Sequence, residues 1–581
     1  MKLTHRSRMD LSGLWIASED RAGKGEEEEW YKGLPHPARR LYVPSPWNGQ
    51  APELEGYMGI MWYEKSFHVP SDWKQKVAWI WFEGVNYKCK VWINGSYLGA
   101  HEGGFTSFKF RIDKWLRFGD VNKVVVKVDN TLTPECIPPG EGMNRTYFDF
   151  FHYGGIIRPV YLEATSRTFI NDLTIYAEPE GNMGFFKALI EVVNELRKPF
   201  KLVLEVLDYD TRDVIHRVEA KGDRRSRQDF MFEEEIKGIE VWDIDHPKLY
   251  LAKLSLISEE GDVLDVYEDH FGFRRVEIKN GKILLNGKPI FLLGFGRHED
   301  FPITGKTMPG AVLVRDFNLM KGVRANSFRT SHYPYSRLHL DLADLNGFLV
   351  ILETPAVGLK HRHFKDKRYL EKLKVMVREM IAEHKNRPSV IAYSMANEPE
   401  SDIDEAHEFF KELYNFIKEI DPTRPITFVS NRHLMDKALD VVDFICLNVY
   451  FGWYSHHGDI EAGVKEALGI IQRIHEKYPS KPIMISEVGA GAVPGYHHDP
   501  PVMWSEEYQA EMLSRYLEEL SKKEYVVGIH IWNFADFRTP QSHYRVILNH
   551  KGIFTWIRQP KLAARVIKEK FSSIMEKRRS K

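Results

Sequence analysis

Apolar and polar positions change rhythm twice along the chain. Up to residue 168, short runs rich in β-branched and aromatic side chains dominate: Val77-Ala78-Trp79-Ile80-Trp81-Phe82, Cys89-Lys90-Val91-Trp92-Ile93 and Val124-Val125-Val126-Lys127-Val128. Each has the length and composition of a β-strand. Asn94-Gly95 follows the second run and predicts a two-residue type I′ hairpin turn. Many short strands with turn signals predict a jelly-roll β-sandwich over residues 1–168. Residues 169–275 continue the alternation on a smaller scale, as in Phe200-Lys201-Leu202-Val203-Leu204-Glu205-Val206 and Ala252-Lys253-Leu254-Ser255-Leu256. That stretch predicts an immunoglobulin-like sandwich, although it lacks the usual Cys-Trp-Cys core.

After Arg274-Arg275 the texture becomes mixed. A hairpin over 276–290, turned at Asn280-Gly281 and Asn286-Gly287, leads into strands that alternate with helices. The strands are predicted at about 290–295, 325–328, 348–353, 390–395, 426–430, 444–449, 482–486 and 527–534. The helices include 367–386, 403–419 and 507–522. In the first of these Leu370, Leu373, Val377, Met380, Ile381 and His384 share one face at helical spacing. Eight βα units over 276–581 predict a (β/α)8 TIM barrel, so the fold class is multidomain β plus α/β. A doubly wound sheet is disfavoured, because Gly294-Phe295-Gly296 lacks the third glycine of a dinucleotide fingerprint and no P-loop motif occurs.

Composition narrows the field. The 581 residues exceed one ordinary core, and 43% hydrophobic with 28% charged residues describes a globular chain. A net charge of −1 gives no global pull towards nucleic acid or an anionic membrane, and the terminal Lys577-Arg578-Arg579-Ser580-Lys581 reads as a solvated tail. Three widely spaced cysteines, Cys89, Cys136 and Cys446, suit neither a disulfide framework nor a cysteine metal site. The first eight residues lack an apolar signal core and no run is long enough to span a bilayer, so a cytoplasmic location is expected. The abundant aromatics (14 Trp, 26 Tyr, 34 Phe) suit both sheet packing and stacking on sugar rings.

Chemistry concentrates at predicted strand ends. Glu398 in Ser394-Met395-Ala396-Asn397-Glu398-Pro399 closes the fourth strand, and Pro399 biases it towards an extended turn. Glu487 in Ser486-Glu487-Val488-Gly489 follows the seventh, which is expected to face the fourth across the barrel. Paired carboxylates at the C-terminal mouth of a barrel are the machinery of glycoside hydrolysis; a separation of about 5 to 5.5 Å makes the reaction retaining. One must be protonated and the other ionised, which their separate environments would set. Arg297-His298-Glu299-Asp300, Arg329-Thr330-Ser331-His332-Tyr333-Pro334, Glu353, Tyr450 to Tyr454 and Trp532-Asn533-Phe534-Ala535-Asp536 fall at the other strand ends and would line a polar, aromatic pocket.

The order of domains and the motifs 294–300 (Gly-Phe-Gly-Arg-His-Glu-Asp), 326–334 (Asn-Ser-Phe-Arg-Thr-Ser-His-Tyr-Pro), 396–399 and 486–489 resemble glycoside hydrolase family 2 over essentially the whole chain. Asp149-Phe150-Phe151, Tyr450-Phe451-Gly452-Trp453-Tyr454, Trp532 to Phe537 and Asn549-His550-Lys551-Gly552 resemble its β-glucuronidase branch. The resemblance implies Glu398 as acid/base, Glu487 as nucleophile and Asn397 as the ligand of the sugar 2-hydroxyl. It further implies Tyr450 orienting the nucleophile, Trp532 in the pocket wall, and Asp149 and His298 on sugar hydroxyls. Asn549 with Lys551, supported by Arg545 and Tyr454, would hold a uronic acid carboxylate by charge-assisted hydrogen bonds.

The expected activity is therefore a retaining exo-β-glucuronidase acting on small-molecule or oligosaccharide β-glucuronides. No cofactor, metal, nucleic-acid or membrane partner is expected, and a homodimer or homotetramer is. A β-galacturonidase or β-galactosidase, and a catalytically inactive carbohydrate-binding protein, are the alternatives. Trp556-Ile557-Arg558 departs from the family's usual Arg-Asp-Arg, and the short segment around Val357 to His363 lacks the long insertion of some gut bacterial members. His361-Arg362-His363 and His497-His498-Asp499 lack a supporting ligand cluster and are assigned to aglycone-loop or surface roles.

Overall fold

The computed structural model describes residues 6–579; Met1–His5, and Ser580 and Lys581 of the basic terminal run, lie outside the described residues. The chain forms two compact units, one comprising residues up to Thr131 with Tyr153–Arg275 and Ala382–Pro388, the other Leu132–His152, Val276–Ile381 and residues from Ser389 onward.

In the first unit, a four-stranded and a six-stranded antiparallel sheet make the N-terminal sandwich. Its core includes Trp15, Val43, Tyr63, Ile80, Phe82, Val91, Val124, Val126 and Leu162. The valine run on strand Asp120–Asp129 is apolar on both faces for a reason: Val124, Val126 and Val128 enter this core, while Val125 lies under Trp62 and Trp92. Asn94 and Gly95 both have positive φ, 51° and 82°, as a type I′ turn demands, and join strands Lys88–Ile93 and Ser96–Glu102. Residues 168–271 form a three-stranded and a four-stranded sheet around Ile190, Leu202, Leu204, Val206, Leu254 and Phe271. Aliphatic and phenylalanine side chains thus fill the space where a Cys-Trp-Cys core would stand.

The second unit is a closed barrel of eight parallel strands: Leu292–Gly296, Ser327–Arg329, Leu349–Glu353, Val390–Asn397, Ile426–Ser430, Ile445–Asn448, Ile483–Val488 and Val526–Trp532. Every residue of the fourth and seventh strands is buried, which explains their unbroken apolar runs. Three sequence expectations are corrected. Glu487 lies within the seventh strand rather than after it, and the eighth ends at Trp532, leaving Asn533 to Asp536 in the following loop. The fourth and seventh strands stand three positions apart in the ring, not opposite. Helices Lys367–His384, Asp404–Ile420 and Glu506–Leu520 cover the barrel, and the predicted face of the first is buried from Leu370 to His384. Leu132–His152 packs with this unit although its sequence lies inside the N-terminal sandwich stretch. Among the described residues no helix is long and apolar enough to cross a membrane.

Closure of the barrel needs Gly294. It pairs with Ser327 on one side and His530 on the other, and a Cβ there would lie 1.8 Å from the Ser327 carbonyl oxygen. That oxygen is backbone inside the ladder and has nowhere to move. Gly294→Ala is therefore expected to destabilise the protein by about 3 kcal/mol or more, the upper range for overpacking. Thermal unfolding of the purified variant checks this, with a Tm within a degree of the parent as the contrary result.

Candidate active site

The fourth strand runs straight to Asn397, and Glu398 turns the chain out of the barrel. Its N–H donates to the Val429 carbonyl at 2.9 Å, and its φ is +48°. The extended turn expected from Pro399 is not what forms. Proline disfavours the right-handed helical region for the preceding residue, but the left-handed region is used here, and the neighbouring strand's hydrogen bond holds it there.

Behind this turn lies a sealed charge network. Arg329, at the end of the second strand, is fully buried and donates through Nη1 to both Glu353 oxygens, at 2.7 and 2.8 Å. Its Nη2 donates to Glu487 Oε1. The Tyr450 hydroxyl donates to the other Glu487 oxygen at 2.5 Å. Ser394 donates to Glu353 Oε2 at 2.8 Å, and His332 Nδ1 lies 2.8 Å from Glu353 Oε1 and 3.0 Å from Arg329 Nη1. Burial keeps that ring neutral, its pKa lowered to about 4. A single Nδ1 can donate to the carboxylate or accept from the guanidinium, not both.

The carboxyls respond to these surroundings. Burial alone would raise Glu353, but Arg329, His332 and Ser394 together outweigh it and hold Glu353 below the ordinary carboxylate range. Burial pushes Glu487 up to about 7, with the charge of Glu398 adding to the rise and Arg329 and Tyr450 opposing it. Burial also raises Glu398, whose one side-chain donor among the described residues is the Asn448 amide at 2.8 Å. Two acids that repel each other share one proton most comfortably. Glu487 is the one in contact with a guanidinium and a phenol, both of which favour its carboxylate form over that of Glu398.

A second cluster stands beside this pair. Lys551 is buried, with Nζ donating to the Tyr454 hydroxyl at 2.7 Å and lying 4.6, 5.3 and 5.5 Å from the ring centres of Tyr454, Trp453 and Tyr450. Burial pulls its pKa well below the usual lysine value. Arg545 donates to the same hydroxyl at 2.8 Å and to both Asp149 oxygens at 3.1 Å, while Asn549 Nδ2 donates to Asp149 Oδ2 at 2.7 Å. The Asn549-His550-Lys551 turn is fixed from below. Lys561 Nζ donates to the His550 carbonyl at 3.0 Å and to Asp536 at 2.8 Å, and Asp536 accepts from Gly552 N at 2.9 Å. Gln509 donates to the Lys551 and Gly552 carbonyls at 3.3 and 3.2 Å.

A cavity of about 1150 Å³ opens over both clusters. Of the residues singled out in the sequence, Asp149, Asn397, Glu398, Tyr450, Tyr454, Glu487, Trp532 and Arg545 line it. Asn549 and Lys551 lie directly behind Asp149 and Tyr454. His298 does not line it: the ring sits against Phe150, Trp532 and Phe537, with Nδ1 3.0 Å from the Tyr333 hydroxyl. His361 pairs with Asp402 and His363 with the Pro134 carbonyl, whereas His497 pairs with Glu507 at the surface. Trp556 donates to Asp300 and Arg558 to Asp316, so the departure from the family pattern makes its own buried contacts. Arg329, His332 and Glu353 were expected to line the pocket, and of these only His332 does, Arg329 and Glu353 being buried behind it; sequence reasoning gave no role to Asn448 or Ser486, whose signal is a polar side chain inside or closing an apolar strand. Lys561 and Gln509 carry no local signal at all.

A TIM barrel whose mouth gathers two carboxylates, an asparagine and aromatic walls is that of a glycoside hydrolase. The chain matches the models "Glycosyl hydrolases family 2, sugar binding domain" over residues 9–166, "Glycosyl hydrolases family 2" over 168–274 and "Glycosyl hydrolases family 2, TIM barrel domain" over 276–576. The chain belongs to glycosyl hydrolases family 2. It is 35% identical to a β-glucuronidase of Paenibacillus borealis, covering 98% of each chain, and 35% identical to the human β-glucuronidase, covering 99% of this chain and 92% of the relative. Among solved structures it is similar to the Ruminococcus gnavus β-glucuronidase in complex with D-glucuronic acid, with a TM-score of 0.91, 35% identity and coverage of 97% and 98%. The β-D-glucuronidase of Dictyoglomus thermophilum gives a TM-score of 0.89 at 36% identity, covering 98% of this chain and 97% of that one.

Removing Glu353 would leave Arg329 buried with Glu487 as its sole carboxylate. Glu353→Ala is expected to cost about 3–5 kcal/mol of stability, as for breaking a buried ion pair. Chemical denaturation of parent and variant measures this, and a loss below about 1 kcal/mol would match a surface pair instead.

Proposed function

We propose that the protein is a retaining exo-β-glucuronidase with Glu398 as acid/base and Glu487 as nucleophile. The carrying observation is Lys551. A buried amine packed against three aromatic rings has one hydroxyl to donate to, and among the described residues no carboxylate lies within ion-pair distance of it. A uronic acid carboxylate would supply that partner and accept from Asn549 as well. A neutral sugar would leave the cationic form of Lys551 buried without an anion, which is costly. The activity in the names of the relatives supports the same reading.

In the proposed reaction Glu487 attacks the anomeric carbon as Glu398 gives its proton to the departing oxygen. Water then displaces Glu487 from the sugar, with Glu398 taking the proton back. Tyr450 and Arg329 hold the two oxygens of Glu487 in place. Asn397 meets the sugar 2-hydroxyl, Trp532 forms a wall, and Asp149 takes sugar hydroxyls.

Two outcomes are expected. With matched aryl β-D-glycosides, kcat/KM for the glucuronide exceeds that for the galacturonide, glucoside and galactoside, and NMR shows the β-anomer released first. Lys551→Met lowers kcat/KM for the glucuronide about 10²-fold, the loss expected for one side of a buried charged pair, and leaves the poor glucoside rate unchanged. A galacturonide turned over faster, or an α-anomer first, would require a different assignment.

A third outcome concerns pH. Activity needs Glu487 ionised and Glu398 protonated, so kcat/KM rises as pH passes the first and falls as it passes the second. While Glu398 keeps its proton, the repulsion that helps raise Glu487 to about 7 is absent, so the acid limb lies below 7. Tyr450→Phe removes a donor that favours the carboxylate and should move the acid limb up by about one pH unit. A limb that stays put or moves down argues against Tyr450 acting on Glu487.

A further inference from the structure

Glu398 must present one chosen oxygen, with its proton, to the leaving group. Among the described residues no group of its own strand hydrogen-bonds that carboxyl: the residue sits in a left-handed turn just past the end of the strand. The constraint comes from the sixth and seventh strands. Asn448 Nδ2 donates to Glu398 Oε1 at 2.8 Å, and the Ser486 hydroxyl donates to Asn448 Oδ1 at 2.9 Å. Asn448 and Ser486 are both buried, and His433 Nε2 lies 2.8 Å from the Asn448 carbonyl and holds its backbone.

An amide can be placed either way round, so the direction of this chain needs a fixed end. Arg329 provides it. A guanidinium only donates, and its Nη1 lies 3.4 Å from Asn397 Oδ1. Asn397 therefore turns its oxygen inward, and the same oxygen accepts from Asn448 Nδ2 at 3.4 Å. With its NH2 facing both Asn397 and Glu398, Asn448 must turn its own oxygen to Ser486. The chain of orientation runs from Arg329 through Asn397 to Asn448, is locked by Ser486, and ends on Glu398 Oε1.

We propose that Asn448, locked by Ser486, is the positioning residue of the acid/base: it keeps Glu398 Oε1 as an acceptor and so assigns the transferable proton to Oε2. This rests on the reading of Glu398 as acid/base. In the first half-reaction the Oε2 proton passes to the glycosidic oxygen as the C1–O bond breaks and a Glu487 oxygen bonds to C1. In the second, a water proton passes to Oε2 as the water oxygen bonds to C1 and the Glu487 bond breaks. Oε1 keeps the same amide donor throughout, so the carboxyl need not rotate between the steps.

The test is a leaving-group series of aryl β-glucuronides, from dinitrophenyl to phenyl, read as kcat/KM and as its pH profile. Asn448→Ala is expected to lower the phenyl substrate about 10- to 100-fold, part of the full effect of a general acid, and the dinitrophenyl substrate less than about 3-fold. Loss of the amide donor favours the protonated acid, so the alkaline limb moves to higher pH. Ser486→Ala should show the same pattern more weakly, and Ser486→Thr should restore the parent profile. Equal losses across the series with an unmoved alkaline limb, in either Asn448→Ala or Ser486→Ala, overturn the proposal and leave a packing role. Glu398→Gln is the reference. A steep leaving-group dependence there with a flat one in both positioning variants rejects the relay alone; a flat response in Glu398→Gln itself rejects the acid/base reading beneath it.

Discussion

The mouth of this barrel depends on one guanidinium that water cannot reach. A charge sealed at the end of the second strand has to be paired, and Arg329 is paired twice, with Glu353 on the neighbouring strand and Glu487 on the seventh. The coupling of burial to pairing makes two chemically identical side chains unlike. Glu487 is gripped by a cation and a phenol, whereas Glu398 meets an amide. Two glutamates in one cavity without such a cation would have no reason to divide their roles. With it, the carboxylate form of Glu487 has charged and phenolic donors that Glu398 lacks.

Both working parts of the cavity are held by side chains that never meet it. Lys561 and Gln509 fix the Asn549-His550-Lys551 turn through backbone carbonyls, while Asp536 takes the Gly552 amide. Ser486 fixes Asn448 in the same indirect way. Such outer contacts convert long or rotatable side chains into rigid ones, so that a ligand meets groups already aimed. They also explain why the pocket draws on strand ends far apart in sequence: each element brings one donor, and an adjacent element orients it.

The sequence carried more of the fold than of the site. Strand and helix positions were readable because buried parallel strands have no polar alternation and because helix Lys367–His384 keeps its apolar residues on one face. Asn94-Gly95 announced its turn, since few other pairs accept two positive φ values. Glu398 and Glu487 were legible as strand-end acids, but eight strands in chain order put the fourth opposite the eighth and three places from the seventh. The conformation of Glu398 was also unreadable. Proline forbids one region without choosing between the others, and the Val429 carbonyl that chooses lies on another strand. Leu132–His152 shows the same limit: nothing in its composition says that it folds with the barrel.

The left-handed backbone at Glu398 sets folding against the placement of its side chain. For any residue with a Cβ other than asparagine or aspartate that conformation costs on the order of 1 kcal/mol, and glycine would adopt it freely. The position therefore sits off its folding optimum. Glycine or asparagine here would relieve that cost and remove a carboxyl from the cavity. Ile303, Trp504 and Arg558 carry the same kind of strain elsewhere in the chain, but at Glu398 it falls on a residue whose carboxyl lines the cavity.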